Sequence, residues 1–530
     1  DTVMPLLLRD IPLDISADEE TLRDEVARAI GIEAVQVKNL KVVRRSIDAR
    51  KKSRIRRIYT VEFSCDNESG LLRESECKGL EKATAIPGII LPTMTTKHHV
   101  LVVGMGPAGL FAAKSLVESG VQVTLVDRGR PVEKRVRDVE NFWTLGTLDP
   151  VSNVQFGEGG AGTFSDGKLT TRLNHPRRQA VLESLVEFGA PHEILVEARP
   201  HVGTDRLRKV VIRFRQYLIS KGVDVRFETC LTGLDMLRDK VTGGIFDESH
   251  LIRCDALILA PGHSARDTYR MLDRSGVQLE PKGFAVGVRS EHPASLINSI
   301  QFGKFADQLP AADYALRYND DDTGRGIYSF CMCPGGEVIN AASEQDGLVV
   351  NGMSRTSRSG KYSNSALVVS VRPEDWGGTT LGGMHFQQHW ERRAFALAGK
   401  NFLAPAQNLM SFCGIGNGPV ACSCRPGVFA TELREVLPDF VYHGLKRALP
   451  HFDRKMRGFV TGEAVLIGVE TRTSSPLRIT RDESGASVSH AGLYPAGEGA
   501  GYAGGIMSAA FDGLRSADQV VQTVLKQELS

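Results

Sequence analysis

The stretch HVLVVGMGPAGLFAAKSLVESGVQVTLVDR, residues His99–Arg128, decides the fold. Val100–Val103 is an apolar run that reads as a buried strand. Gly104, Gly106 and Gly109 follow at G-x-G-x-x-G spacing, an Ala-rich helix runs on to Ser119, and Gly120 is placed to end it. Val121–Val126 then reads as a second strand closed by Asp127. Gly104 permits the tight turn, Gly106 lets a pyrophosphate approach the backbone, and Gly109 lets helix and strand pack closely. Pro107 and Ala108 open the helix, whose N-terminus faces the phosphates. Asp127, with Arg128 beside it, sits where a carboxylate binds ribose hydroxyls. The spacing therefore predicts a dinucleotide turn.

Working outward, 530 residues provide for several domains and a sizeable core. A net charge of +2 points to neither nucleic acid nor a membrane surface. Nine cysteines in so long a chain are not a disulfide framework, and the odd count leaves a free thiol. Reduced thiols in a cytosol-like compartment are the better reading. No apolar run reaches the roughly 18 residues of a membrane span, so none is expected. The chain starts at Asp1 rather than Met. The expected compartment is the cytoplasm, or an organelle whose address preceded Asp1.

Residues 1–96 read as a small α/β unit of ferredoxin-like flavour, with strands at Met4–Arg9, Val35–Val43 and Ile55–Phe63. A helix over Ala17–Ile30 is expected to be capped by Ser16, and a Pro-marked linker, Ile86–Thr96, ends the unit. Its segment Lys38–Arg57 is strongly basic. No aromatic residue interleaves the charges, so a docked, solvated hairpin is favoured over a nucleic-acid platform. Downstream of Asp127, NVQFGEGGAGTFSDGKLTT (Asn153–Thr171) is dense in glycine. Gly160 and Gly167 let backbone pass close to a flat ligand, with Thr163, Ser165 and Asp166 beside them. A strand at Leu251–Leu259 ends in Ala260-Pro261-Gly262, a small-residue turn that closes on phosphates, and Leu231 lies on another short strand. Residues 275–475 are richer in β signal and read as an inserted cap. The chain then returns with LYPAGEGAGYAGGIMSAAF (Leu493–Phe511), a strand, a Gly-rich turn and a helix. Gly497, Gly504 and Gly505 allow close approach, Glu498 can hold a ribityl chain, and the helix starting near Ile506 can face the flavin pyrimidine edge.

The turn at Gly104 taken alone could hold NAD or FAD, and a conventional NAD domain is contiguous. A second acid-bearing turn at the far end of the chain suits a longer ligand with a ribityl linker, so FAD is the expected cofactor. No second G-x-G-x-x-G is present, so NAD(P)H is expected only as a transient donor, or a protein supplies the electrons. The fold class expected is α/β: a split Rossmann-like FAD-binding domain (97–274 and 476–530), an inserted β-rich cap domain (275–475) and a small N-terminal α+β domain (1–96).

These motifs carry a resemblance over nearly the whole chain. The sequence resembles the glutathione-reductase-like FAD superfamily and, more closely, a family of uncharacterised FAD-dependent dehydrogenases. The likeness rests on SIDARKK (Ser46–Lys52), GMGPAGL (Gly104–Leu110), GGAGTFSDGKL (Gly159–Leu169), APGHSARD (Ala260–Asp267), YSFCMCPGG (Tyr328–Gly336), ETRTSSPLRI (Glu470–Ile479) and PAGEGAGYAGGI (Pro495–Ile506). Superfamily members usually carry Glu where this chain has Asp127 and Asp where it has Glu498; both changes keep the charge. The resemblance implies a flavoprotein oxidoreductase and leaves the substrate open.

Four residues are candidates for the chemistry. Cys331 and Cys333, two apart on an extended strand, point to one face and are read as a redox pair or as one thiolate meeting the flavin. His292, after Arg289, is a candidate general acid, and Arg472 a cation supporting reduced flavin or a substrate carboxylate. Cys422 and Cys424, near Cys413, lack a standard zinc spacing, and no metal is expected. The expected function is an FAD-dependent dehydrogenase or reductase acting on a small organic substrate. The alternatives are a flavin monooxygenase or oxidase, and a flavin-dependent RNA-modification or binding factor.

Overall fold

The computed structural model describes residues 5–528 except 76, 84–96, 172 and 174, so the expected linker Ile86–Thr96 lies outside the described residues. The N-terminal unit runs strand Leu6–Asp14, helix Leu22–Ile30, strands Lys38–Asp48 and Arg56–Ser64, helix Glu68–Glu74 and strand Leu80–Lys82. Its sheet places the second strand beside the third, then the first, then the fourth, all antiparallel. The helix buries Leu22, Val26, Ala27 and Ile30, one stripe at helical spacing, and Gly31 ends it at φ 76°. Ser16 does not cap the segment: its hydroxyl donates to Asp14, and Asp18 accepts from the Glu20 N–H instead.

The nucleotide turn sits in a five-stranded parallel sheet. Its order is Leu493–Pro495, Ala256–Leu259, His99–Val103, Gln122–Val126, Asp224–Arg226. The last strand of the chain is thus an edge of the sheet that the first turn belongs to. Its central strands, Ala256–Leu259 and Val100–Val103, are short, apolar and buried, as parallel strands under helices must be. Helix Pro107–Glu118 lies close against the C-terminal helix Ile506–Glu528, where a Cβ on Gly513 would stand 2.0 Å from the Ala108 carbonyl oxygen.

Strands Leu279–Pro281 and Leu477–Ile479 pair antiparallel, so the chain leaves and re-enters this region through one narrow ribbon. Between them a seven-stranded sheet forms, with Arg325–Cys333, Tyr362–Val371, Phe284–Pro293 and Val465–Glu470 at its centre. All its pairs are antiparallel except Ala404–Asn408 with Val428–Ala430. Helix Asp439–Lys455 covers one face, with Gly444 lying against Ile327 and Val369. No helix among the described residues is long and apolar enough to cross a membrane.

Candidate flavin site

Gly104 and Gly109 are fixed by packing. At φ 105°, Gly104 would bring a Cβ to 2.1 Å from the Ala260 carbonyl oxygen, and a Cβ on Gly109 would stand 1.8 Å from that of Gly104. Gly109 therefore lies behind the site rather than in its wall. Gly106 is different: a Cβ there would meet only the Gly160 Cα, at 3.9 Å. It precedes Pro107 at the first helical position, and no side chain caps the helix, so the first-turn N–H groups face open space.

That space is a cavity of about 420 Å³ between the parallel sheet and the cap, within the range for small-molecule and cofactor sites. Of the early turns, Gly106, Pro107, Ala108, Asp127 and Arg128 reach its wall; from the Gly-rich loop, Gly160, Ser165, Asp166 and Gly167. Leu231, Ala260 and Gly262 add a third side, and Gly497, Glu498, Gly504, Gly505 and Ile506 the far end, with Gly104 at the floor. Thr163 does not reach it: the buried hydroxyl donates to the Glu158 carbonyl at 3.2 Å and braces the loop from behind.

Asp127 accepts from the Met105 N–H at 2.9 Å and the Gly129 N–H at 2.8 Å, so it braces the turn. It also lines the cavity, and each oxygen keeps a lone pair for a ribose hydroxyl. Arg128 pairs with Asp267 at 3.0 Å and lies 4.5 Å over the Phe156 ring, closing this end. Asp166 is in the wall but ion-paired to Arg358 at 2.9 Å, which holds its carboxyl below the usual range despite burial.

At the far end Glu498 accepts no hydrogen bond from the described residues, and burial pushes its carboxyl up to about 7, against the pull of Lys282. A Cβ on Gly504 or Gly505 would have nothing within 4 Å. An orphan carboxylate, a bare glycine cradle and two open helix N-termini on one cavity fit a long, anionic, hydroxyl-bearing nucleotide. They fit FAD.

The cap contributes Phe330, Cys331, Asn351, Thr473 and Arg472 to the wall. Cys331 sits in a β-bulge: Phe330 pairs with Ala366 and Cys333 with Asn364, so the strand carries one residue too many, and Cys331 takes φ 46°. The bulge turns Cys331 toward the cavity. Cys333 stays buried behind it, so the two do not present themselves to one open face as an unbroken strand would. The fully buried Arg289 holds this corner, donating to the Cys331 carbonyl at 2.8 Å, Asn364 at 3.0 Å, Asn351 at 2.9 Å and, bidentate, Glu470 at 2.6 and 2.9 Å. Lys168, also in the wall, donates to the Met332 carbonyl.

Arg472 is not a free cation. Its Nε and Nη2 bind the Glu391 carboxylate at 2.9 and 2.6 Å, and its Nη1 reaches Ser343 at 2.6 Å and Ser264 at 3.1 Å. Arg266 holds the same Glu391 at 2.8 Å, and the two guanidiniums keep that buried carboxyl far below its usual range. His292 is removed from the site altogether. The strand runs on to Pro293, so the ring is fully buried, with Nε2 at 2.8 Å from the Phe459 carbonyl and Nδ1 at 3.2 Å from Ser290. Burial pushes its pKa down to about 4, which makes it a neutral core group.

Three wall or support residues were missed from sequence: Lys168, Arg289 as a buried clamp, and His263, a wall residue that burial and then Arg472 and Arg266 push down to about 3. Lys168 and His263 lie inside the quoted motifs GGAGTFSDGKL and APGHSARD, which was the available signal. The second C-x-C brackets Ser423, whose N–H donates to the buried Glu291 at 2.7 Å. All nine cysteines are free thiols, and among the described residues no His, Cys, Asp or Glu cluster could hold a metal. The basic hairpin docks: Arg45 bonds Glu197 at 2.9 and 2.6 Å, and its backbone pairs with residues 196 and 198.

Fold and site together define an FAD-dependent protein. An FAD binding domain family matches residues 97–149, an FAD-dependent protein C-terminal domain-like family residues 283–473, and a domain of unknown function residues 8–64. The chain is 44% identical over 528 residues to an uncharacterized protein of Clostridium beijerinckii, covering 98% of this chain and 99% of that one, and it belongs to the same family of FAD-dependent proteins. It is 25% identical over 195 residues to the FAD-dependent monooxygenase cctM of Talaromyces islandicus, covering 35% of this chain and 45% of that protein. Among solved structures, CtdE in complex with FAD matches at 13% identity and a TM-score of 0.31, covering 82% of this chain and 90% of that chain.

Proposed function

We propose that the protein is an FAD-dependent oxidoreductase, a dehydrogenase or reductase that moves a hydride or an electron pair between flavin and a small organic substrate under the cap. The single observation that carries this reading is that one cavity joins the early glycine turn, the Glu498 turn and the cap wall. Bound FAD supplies the two-electron chemistry; the chain supplies position and field.

The first-turn N–H groups of helix Pro107–Glu118 take the pyrophosphate, and Asp127 keeps the turn in shape. The Glu498 carboxylate, which no described residue satisfies, accepts from a ribityl hydroxyl. The N-terminus of helix Ile506–Glu528 favours negative charge at the pyrimidine edge. Phe330, Asn351 and Thr473 exclude bulk water on the cap side. His263 stays uncharged and polar there, with its Nδ1 at 2.9 Å from the Ser264 hydroxyl.

A second reading, a flavin monooxygenase, is favoured by the partial likeness to cctM. Anaerobic mixing of the yellow protein with NADH, NADPH and reduced ferredoxin in turn tests the first reading. Bleaching of the flavin band by one donor, followed by reoxidation with an organic acceptor in preference to oxygen, is expected. Rapid oxygen consumption that depends on an added organic substrate would replace it with the second.

A further inference from the structure

We propose that Cys331 and Cys333 form a redox pair that exchanges two electrons with the flavin, with Cys331 as the sulfur that faces it. The inference rests on the flavin reading above and deepens it.

Placement comes first. Of the nine cysteines only Cys331 lies in the cavity wall, and Cys333 is directly behind it, fully buried, with its Sγ 3.4 Å from the Cys331 carbonyl oxygen. In a regular strand residues i and i+2 lie roughly 6.6 Å apart, near the outer limit of the Cα separation a disulfide spans. The bulge breaks that spacing: Cys331 takes a left-handed backbone, which residues other than glycine rarely adopt. The fold holds that conformation through Arg289, which binds the Cys331 carbonyl while Glu470, Asn351 and Asn364 bind Arg289. The corner is thus kinked where two sulfurs must approach and clamped so that it stays kinked.

Charge comes second. Arg289 stands 3.9 Å from the Cys333 sulfur, and Lys168 lies on the Met332 carbonyl between the two cysteines. The neighbouring Cys333 thiol, then Arg289 and Lys168, draw the Cys331 thiol below its ordinary range against burial. Cys333 moves the opposite way, well above its ordinary value, because it is the partner that keeps the proton. Burial, helped by nearby carboxylates, pushes Cys254 up to about 12 and Cys413 and Cys422 up to about 11. One thiolate beside one thiol is the pair that disulfide exchange requires.

The step balances. The Cys331 thiolate and the Cys333 thiol together lose two electrons and one proton as the S–S bond forms, and oxidised flavin accepts all three. In the opposite direction reduced flavin returns two electrons and a proton, the S–S bond breaks, and the proton goes back to Cys333.

The test is an anaerobic dithionite titration of the FAD-loaded, air-oxidised protein, with alkylation and mass mapping of the same samples. Wild type is expected to take up about four electrons per flavin, since each couple carries two, and Cys331→Ser and Cys333→Ser about two. Cys422→Ser, outside the site, keeps the wild-type uptake. Cys331 and Cys333 should alkylate together only after reduction. A yellow wild type that bleaches with two electrons, or whose two thiols alkylate without reduction, overturns the pair and leaves the flavin reading standing. A colourless protein that takes up no added FAD overturns the flavin reading itself. Should a serine variant fail to fold, the wild-type alkylation pattern decides.

Discussion

Gly497 faces Ala108 so closely that a Cβ on the glycine would stand 2.8 Å from the alanine Cβ. The turn that closes the cavity at one end of the sequence therefore touches the helix that opens it at the other. Contact between these two small residues brings Glu498 and Gly106 into the wall of one cavity.

The glycines separate into two kinds, and substitution distinguishes them. Gly104→Ala places a methyl group against the Ala260 carbonyl in a left-handed conformation, and is expected to cost about 1–3 kcal/mol of stability. Gly505→Val has open space in front of it, so the flavin-free protein should melt within a few degrees of wild type. It should lose FAD affinity at least tenfold, because the side chain fills the cradle. Thermal melts of flavin-free protein and fluorescence titration with FAD check both.

Glu498 predicts a pH dependence with a definite sign. Its folded pKa, about 7, lies above the ordinary value of 4.5. Between those values the native state keeps a proton that the unfolded chain has lost, so this group's contribution falls as pH rises from about 4.5 to 7. Glu498→Gln removes that fall. Relative to wild type, the flavin-free variant should gain about 1–3 kcal/mol on going from pH 5 to pH 8, read by urea unfolding at each pH. In the same variant FAD should bind roughly tenfold more weakly, through loss of a charge-assisted hydrogen bond.

Arg472→Ala would strand Glu391 against a single guanidinium in the core. Breaking a buried pair from one side costs about 3–5 kcal/mol, so the variant should unfold at markedly lower urea concentration. Any activity lost should follow the fraction unfolded. Unchanged stability with abolished flavin reduction would return Arg472 to the catalytic list.

Sequence reading located what short-range chemistry dictates. The strand–turn–helix around Gly106 and the acid-bearing turn at Glu498 were legible because each is a contiguous pattern with one physical cause. The misreadings came from partners far along the chain. Arg472 looked free because Glu391 is supplied by the helix Gly382–Leu397. The run Val288-Arg289-Ser290-Glu291-His292 looked like a polar strand end. Yet each of its charged groups is buried and partnered, Arg289 by Glu470 and Glu291 by Ser423, from distant segments. The bulge at Cys331 left no local trace, since it arises from a pairing mismatch with Tyr362–Val371.

The edge strand Leu493–Pro495 has a consequence for biogenesis. A ribosome must synthesise the entire cap before this strand, Glu498 and the cradle glycines emerge. A nascent chain stalled earlier carries the phosphate-binding turn without its opposite wall. Cofactor capture is therefore expected to be late: fragments released before about residue 506 should be colourless, whereas the full chain should be yellow.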